Sequence, residues 1–185
     1  MLEIRKANPR DTKQIGIIIG KCMGKEYKYI SKHQLKLGAA LISGIDPSNF
    51  YVAILNNFQM VGILGITKKN KGAVTPKKSS FIASFGVIPG LIKCHRYTKL
   101  LSHKHITLDD DSCFIEIACV LKEHRRRGVF KRMLEHAYDD LDYLNYYAES
   151  RKSYTDYITV LQRFLFRKIS ETRKSCVFLR TRHRF

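Results

Sequence analysis

A chain of 185 residues with a hydrophobic fraction of 44% holds enough apolar side chain for one domain with a real core, which excludes a largely disordered protein. Thirty-four Lys and Arg against sixteen Asp and Glu leave a net charge of +18. That charge suits a lysine-rich solvated surface or a polyanionic partner such as RNA, the ribosome or an anionic membrane surface, and no RNP-like, zinc-finger or helix-turn-helix signature selects nucleic acid. No run approaches the roughly 18 apolar residues of a membrane span, and the N-terminus lacks the apolar stretch of a signal peptide. The five cysteines are odd in number and form no C-x-x-C pair, which points to a reducing cytoplasm and away from a disulfide framework or a metal site.

Residues 2–7 read as a strand. Asp11 is a good N-cap for a helix that places Ile15, Ile18, Ile19 and Cys22 on one face. A second helix is expected over residues 31–42, with Leu35, Ala39 and Ile42 facing inward. Asn56-Asn57 makes the tip of a hairpin joining strands 50–55 and 59–67. Residues 68–112 form a basic insertion between the third and fourth strands. From Lys68 to Leu108 there is no acidic residue but there are nine Lys or Arg. Phe81, Ile82, Phe85, Val87, Ile88, Leu91, Ile92, Tyr97, Leu100 and Leu101 offer apolar anchors, and Gly86, Pro89 and Gly90 interrupt them. We expect a basic loop followed by one or two short helices over residues 91–102, because a structureless loop of this length is rare in a compact domain. Residues 81–104 should pack on the domain as a buttress, as a wall of an acceptor site, or as both, with the lysines of 68–78 left in solvent. Asp109, Asp110 and Asp111 read as a solvated turn that neutralises nearby lysines, or as an attractor for a cationic amine.

Residues 113–121 form an apolar central strand, and residues 128–142 a helix with Val129, Met133, Leu134 and Ala137 near helical spacing. Between them lies Arg125-Arg126-Arg127-Gly128. A strand feeding a basic, glycine-containing turn and then a helix is a phosphate cradle: the first N–H groups of the helix lack partners, the helix dipole favours anions there, and the glycine admits close approach. A short strand over 144–149, a helix starting at Ser153 or Thr155 and ending near Phe164, and closing strands over 166–170 and 175–182 complete an α/β pattern with a mixed sheet.

The order of these residues resembles the GNAT superfamily of N-acetyltransferases, whose acetyl-coenzyme A loop runs Arg/Gln-x-x-Gly-x-Gly/Ala into a helix. Arg125 and Gly128 match that pattern, and Phe130 departs from its small third residue. The resemblance covers most of the chain: Ile4-Arg5-Lys6-Ala7 with Pro9-Arg10-Asp11, Phe50-Tyr51-Val52-Ala53-Ile54, Met60-Val61-Gly62-Ile63-Leu64-Gly65, and Phe164-Leu165-Phe166, where Leu165 replaces a glycine. It implies a single GNAT-like domain over residues 1–185, acting as a cytoplasmic monomer or homodimer. The implied reaction moves an acetyl group from acetyl-coenzyme A to an amine of a small molecule or protein.

By the same resemblance the backbone N–H groups of Arg127, Gly128, Val129, Phe130 and Lys131 face the pyrophosphate, with Arg126 beside them and Arg125 either ordering the turn or reaching a phosphate, and the backbone of Cys119, Val120 and Leu121 holds the pantetheine arm and the thioester carbonyl. Cys119 itself reads as a small buried hydrophobe, not a nucleophile. Glu116, the one acid inside the apolar strand, is the candidate general base, or else a carboxylate paired with lysine on the polar face; Glu149 is the reserve. The family's tyrosine, which protonates the departing thiolate, falls at Leu161. Tyr157, one helical turn earlier with Tyr154 a turn before it, is the candidate acid, unless none acts. A non-catalytic module binding acyl-coenzyme A or an anionic macromolecule is the alternative, and a cofactor-free nucleic-acid binder a third reading.

Overall fold

The computed structural model describes residues 1–22, 29–56, 58–69, 71–101 and 106–182. Alternating apolar residues at both ends of the chain and continuous apolar runs at its centre build one mixed sheet. Strands β1 (Leu2–Lys6), β2 (Phe50–Leu55), β3 (Gln59–Lys68) and β4 (Ser112–Val120) pair antiparallel in succession. Then β4 meets β5 (Asn145–Arg151) in parallel, and β7 (Ser175–Thr181) lies antiparallel between β5 and the edge strand β6 (Arg167–Glu171).

The helices cover both faces. Helices α1 (Thr12–Cys22), α2 (Gln34–Ile42), α3 (Lys78–Phe85) and α4 (Val87–Leu101) pack Ile15, Ile19, Leu37, Leu41, Phe81 and Tyr97 with Ile63 and Ile117 of the sheet. On the other face α5 (Val129–Asp140) and α6 (Thr155–Arg163) pack Met133, Leu134, Ala137 and Leu161 with Leu64, Ile115 and Phe178.

The α1 entry is capped by Asn8, not by Asp11. Asn8 Oδ1 accepts the Arg10 N–H at 2.9 Å, and Asp11 Oδ2 accepts the Asn8 N–H at 2.8 Å, a reciprocal capping box on the short turn before α1. Asp11 also takes both ends of the Arg5 guanidinium, at 2.8 and 3.0 Å. Burial pushes the Asp11 carboxyl up, but Arg5 and the Asn8 N–H together bring it below the ordinary 3.8. A carboxylate depressed in the folded state stabilises fully above its unfolded pKa, and that contribution is lost as pH falls through the folded value. Urea melts taken from about pH 5 down to about pH 2 should therefore show a loss on the order of 1 kcal/mol that is missing from the Asp11→Asn variant.

Helix α2 begins at Gln34 and turns Leu37, Gly38, Ala40 and Leu41 inward, while Leu35 and Ala39 are exposed. The expected phase is wrong because α1 presses glycine, not a large apolar residue, against α2. Residues 78–85, expected as loop, form α3. Helix α4 starts earlier than expected, straight after Gly86 (φ 85°), and Pro89 falls in its first turn, where no backbone N–H is needed. Asn57 and residues 102–104 lie outside the described residues.

Helix α6 ends in a Schellman motif. The Phe166 N–H donates to Leu161 O and the Leu165 N–H to Gln162 O, each at 3.0 Å, with Leu165 at φ 62° between them. This left-handed position is the one where the family pattern has glycine. Leu165 is 71% exposed, so its side chain recovers little by burial. A left-handed non-glycine residue costs about 1–2 kcal/mol, against about 0.5–1 kcal/mol of extra unfolded-chain entropy for glycine. Leu165→Gly should thus raise stability by about 0.5–1 kcal/mol in chemical denaturation; a loss would show that Leu165 contributes contacts the strain argument omits.

Candidate active site

The site begins at an irregularity in β4. Gly65 pairs with Ile117 and Ile66 with Ile115, so Glu116 is an extra residue that no β3 residue opposes. Side chains change faces across this bulge: Cys113 and Ile115 join the α5–α6 core, whereas Ile117 and Cys119 join the α1–α2 core. The pairing with β5 covers only Ser112–Ile115 against Asn145–Ala148 and stops at the bulge. Beyond it β4 is bonded to β3 alone and β5 continues on β7 through Arg151. Two parallel strands therefore part at Glu116. The Leu121 N–H donates to Val61 O at 2.9 Å, which by alternation turns the Ala118 and Val120 peptide groups away from β3, into the gap.

The gap leads to the basic turn. Arg125 Nε donates to the Val120 carbonyl at 2.9 Å and ties the turn back to the strand end. Arg126 (φ 61°) and Gly128 (φ 75°) both adopt left-handed backbone, so the chain doubles into a nest of N–H groups just ahead of α5. A Cβ on Gly128 would meet nothing within 4 Å, so the demand there is conformational and not steric. No side chain caps α5, and its first intrahelical bond runs from the Arg132 N–H to Gly128 O at 3.0 Å. The N–H groups of Val129, Phe130 and Lys131 are thus the helix's unfilled donors. Lys122, Arg125, Arg126, Arg127 and Lys131 are exposed around them. Phe130 is turned into the α5–α6 seam, its ring 5.2 Å from that of Tyr157, so its bulk does not occupy the mouth of the nest.

Glu116 is partly buried, and its Oε2 accepts the Thr67 hydroxyl and, at 3.0 Å, the Ala73 N–H. Ala73 belongs to a strap that crosses the sheet face: Ala73 O accepts the Asp46 N–H at 3.1 Å, Gly72 O accepts Asn49 Nδ2 at 3.2 Å, and the Thr75 N–H donates to Gly44 O at 2.8 Å. Glu149 is exposed on β5. Tyr157 sits at the seam against Phe130, with its hydroxyl held above the ordinary range by burial and by nearby Cys119. Tyr154 lies at the α6 entry, and Leu161 is fully buried in the core. The structure thus gathers Val120 and residues 125–131 along one line from the bulge to α5, with Glu116 at its start and Tyr157 beside it; Cys119 and Leu121, expected to offer backbone groups as well, turn theirs toward β3, and Ala118 takes that place.

Two neighbours had no signal in the sequence. Thr67 reaches Glu116 only because β3 and β4 pair. Cys22 lies at the end of α1 and lines a cavity of about 170 Å³ with Lys21, Leu121, Lys122, Glu123 and Arg125. Its thiol is held below the ordinary 9.0, first by a hydrogen bond with Cys119 and further by the Arg125 guanidinium, against the opposing effect of burial. Asp110 pairs with Lys69 at 2.9 Å, in keeping with a solvated, charge-neutralising turn. Among the described residues no group of His, Cys, Asp and Glu could hold a metal ion, and no helix is long and apolar enough to cross a membrane.

No protein-family model matches the chain, and no curated protein matches it in sequence. Solved structures match its fold over nearly its full length. An N-acetyltransferase from Staphylococcus aureus superposes with a TM-score of 0.65 at 12% identity, covering 96% of this chain and 99% of its own. A GNAT-family acetyltransferase from Bacillus cereus gives 0.60 at 14% identity over 100% and 99%. The PaiA N-acetyltransferase from Thermoplasma acidophilum, solved in complex with coenzyme A, gives 0.60 at 9% identity over 98% and 99%. The chain has the fold of the GNAT superfamily of acetyltransferases: a mixed α/β sheet opened between its two central parallel strands and flanked by helices.

Proposed function

We propose that the protein is an N-acetyltransferase that moves an acetyl group from acetyl-coenzyme A to an amine by direct attack. The observation that carries this reading is the continuity of the β4–β5 gap, which opens at the Glu116 bulge, with the basic left-handed turn and the uncapped start of α5. The fit to the donor rests on chemistry: a pyrophosphate needs convergent N–H donors and positive charge, and an extended amide-bearing arm needs a strand edge with free peptide groups. When bound, acetyl-coenzyme A supplies an acetyl group activated as a thioester.

Each residue then has a task. The N–H groups of residues 127–131, with Arg126 and Arg127, bind phosphate oxygens. Arg125 holds the turn against Val120. The peptide groups of Ala118 and Val120 align the arm and present a donor to the thioester carbonyl. Glu116, at the parting point, takes the proton of the attacking amine directly or through water, and its bonds to Thr67 and Ala73 fix its rotamer. Tyr157, at the α5–α6 seam against Phe130, is the candidate hydroxyl for protonating the leaving thiolate. The location of Leu161 in the core favours a second reading, a module that binds acyl-coenzyme A without turnover. Turnover of acetyl-coenzyme A across a panel of small amines and peptide amines separates the two.

Binding can be tested apart from turnover. Gly128→Val forces a β-branched residue into left-handed backbone while leaving packing untouched. Coenzyme A affinity by calorimetry should fall about five- to thirtyfold, the equivalent of about 1–2 kcal/mol of strain in holding the left-handed backbone that forms the nest. Unchanged affinity with an unchanged melt would remove the nest from the donor site.

A further inference from the structure

The α3–α4 corner ends in an apolar tip. Val87, Ile88, Leu91 and Ile92 share adjoining turns of α4 and are 61%, 72%, 41% and 48% exposed, against the expectation that they anchor the segment. The rest of α4 is firmly seated: Cys94 and Tyr97 are buried with Phe81, and Gly90 lies so close to Phe81 O and Ile82 that a Cβ would approach within 2.8 Å of each. The tip is thus a rigid protrusion. Behind it stand Lys93 and Arg96, with exposed Lys77 and Lys78 where α3 begins. Lys93 Nζ donates to Ile30 O at 2.6 Å and Arg96 Nη1 to Tyr29 O at 3.1 Å. Both acceptors are neutral carbonyls, so these bonds leave the positive charges uncancelled. The sequence from Lys68 to Leu108 holds no Asp or Glu.

We propose that this tip docks the protein on an anionic lipid bilayer, with the four aliphatic side chains entering the acyl boundary and the basic collar at the headgroups. A second copy of the chain would set one acid-free basic collar against another. A nucleic acid would offer phosphates but nowhere to bury aliphatic side chains, since strand-binding surfaces present aromatic rings to the bases. An anionic bilayer satisfies both halves of the surface: it buries apolar side chains without requiring a shaped pocket, and it attracts the surrounding lysines.

The chain has no tryptophan, so Ile88→Trp gives a single reporter at the tip. Vesicles of equimolar phosphatidylcholine and phosphatidylglycerol should float the protein and blue-shift this tryptophan, and vesicles of phosphatidylcholine alone should do neither. Ile88→Ser with Ile92→Ser should reduce partitioning at least about tenfold, and Lys77→Gln and Lys78→Gln roughly fivefold each, all with unchanged thermal melts because these side chains are exposed. Three results would overturn the proposal. One is full flotation of the serine variant, which would mark a general charge effect. Another is a concentration-dependent blue shift without lipid, which would mark self-association. The third is no flotation on the anionic vesicles.

Discussion

Glu116→Gln is expected to lower kcat for amine acetylation by about a hundredfold or more, with coenzyme A affinity changed by less than about twofold. The carboxylate stands where β4 leaves β5, and its only proposed task is to accept a proton. Gln keeps the shape and can still accept from the Thr67 hydroxyl or the Ala73 N–H, so the strap and the bulge should persist. If Glu116 instead serves only to tie residues 71–75 to the sheet, the variant will melt earlier and turn over at the parental rate, and the base must be sought elsewhere, first at Glu149.

Gly38→Ala carries the largest expected effect on stability, and its sign is opposite to what helix propensity suggests. Ala for Gly inside a helix ordinarily stabilises by about 1 kcal/mol. Here a Cβ on Gly38 would lie 2.5 Å from Gly16 O, and one on Gly20 would lie 2.5 Å from Gln34 O. Both obstructions are backbone, which cannot rotate out of the way, so α1 and α2 must separate and loosen Ile15, Ile19, Leu37 and Leu41 at their shared core. Overpacking of this kind costs about 1–3 kcal/mol or more, enough to outweigh the propensity gain. A net loss of about 2 kcal/mol in urea unfolding is expected. A gain would mean that the two helices are not pressed together at Gly16, Gly20 and Gly38.

Local pattern alone carried a good deal of this protein. Alternating and continuous apolar runs located β1 to β7 within a residue or two, and the Arg-rich sequence with Gly128 marked the left-handed turn ahead of α5, because strand, turn and helix start are contiguous in the chain and their chemistry is local. The sequence also shows Leu165 where the family pattern has glycine, but that this position is left-handed is a finding of the structure. What the tertiary structure alone decided depends on residues far apart in sequence. The bulge at Glu116 exists only in the register of β3 against β4, and the parting of β4 from β5 only in a parallel pair made by residues some thirty positions apart. The α2 face was misjudged because glycine contributes no hydrophobic signal, yet it lets two backbones touch and so sets which side of α2 turns inward. The apolar residues at the start of α4 looked like core by composition. Whether such residues are buried depends on how far a hairpin reaches past the body it packs on, and that length is a property of the assembled fold.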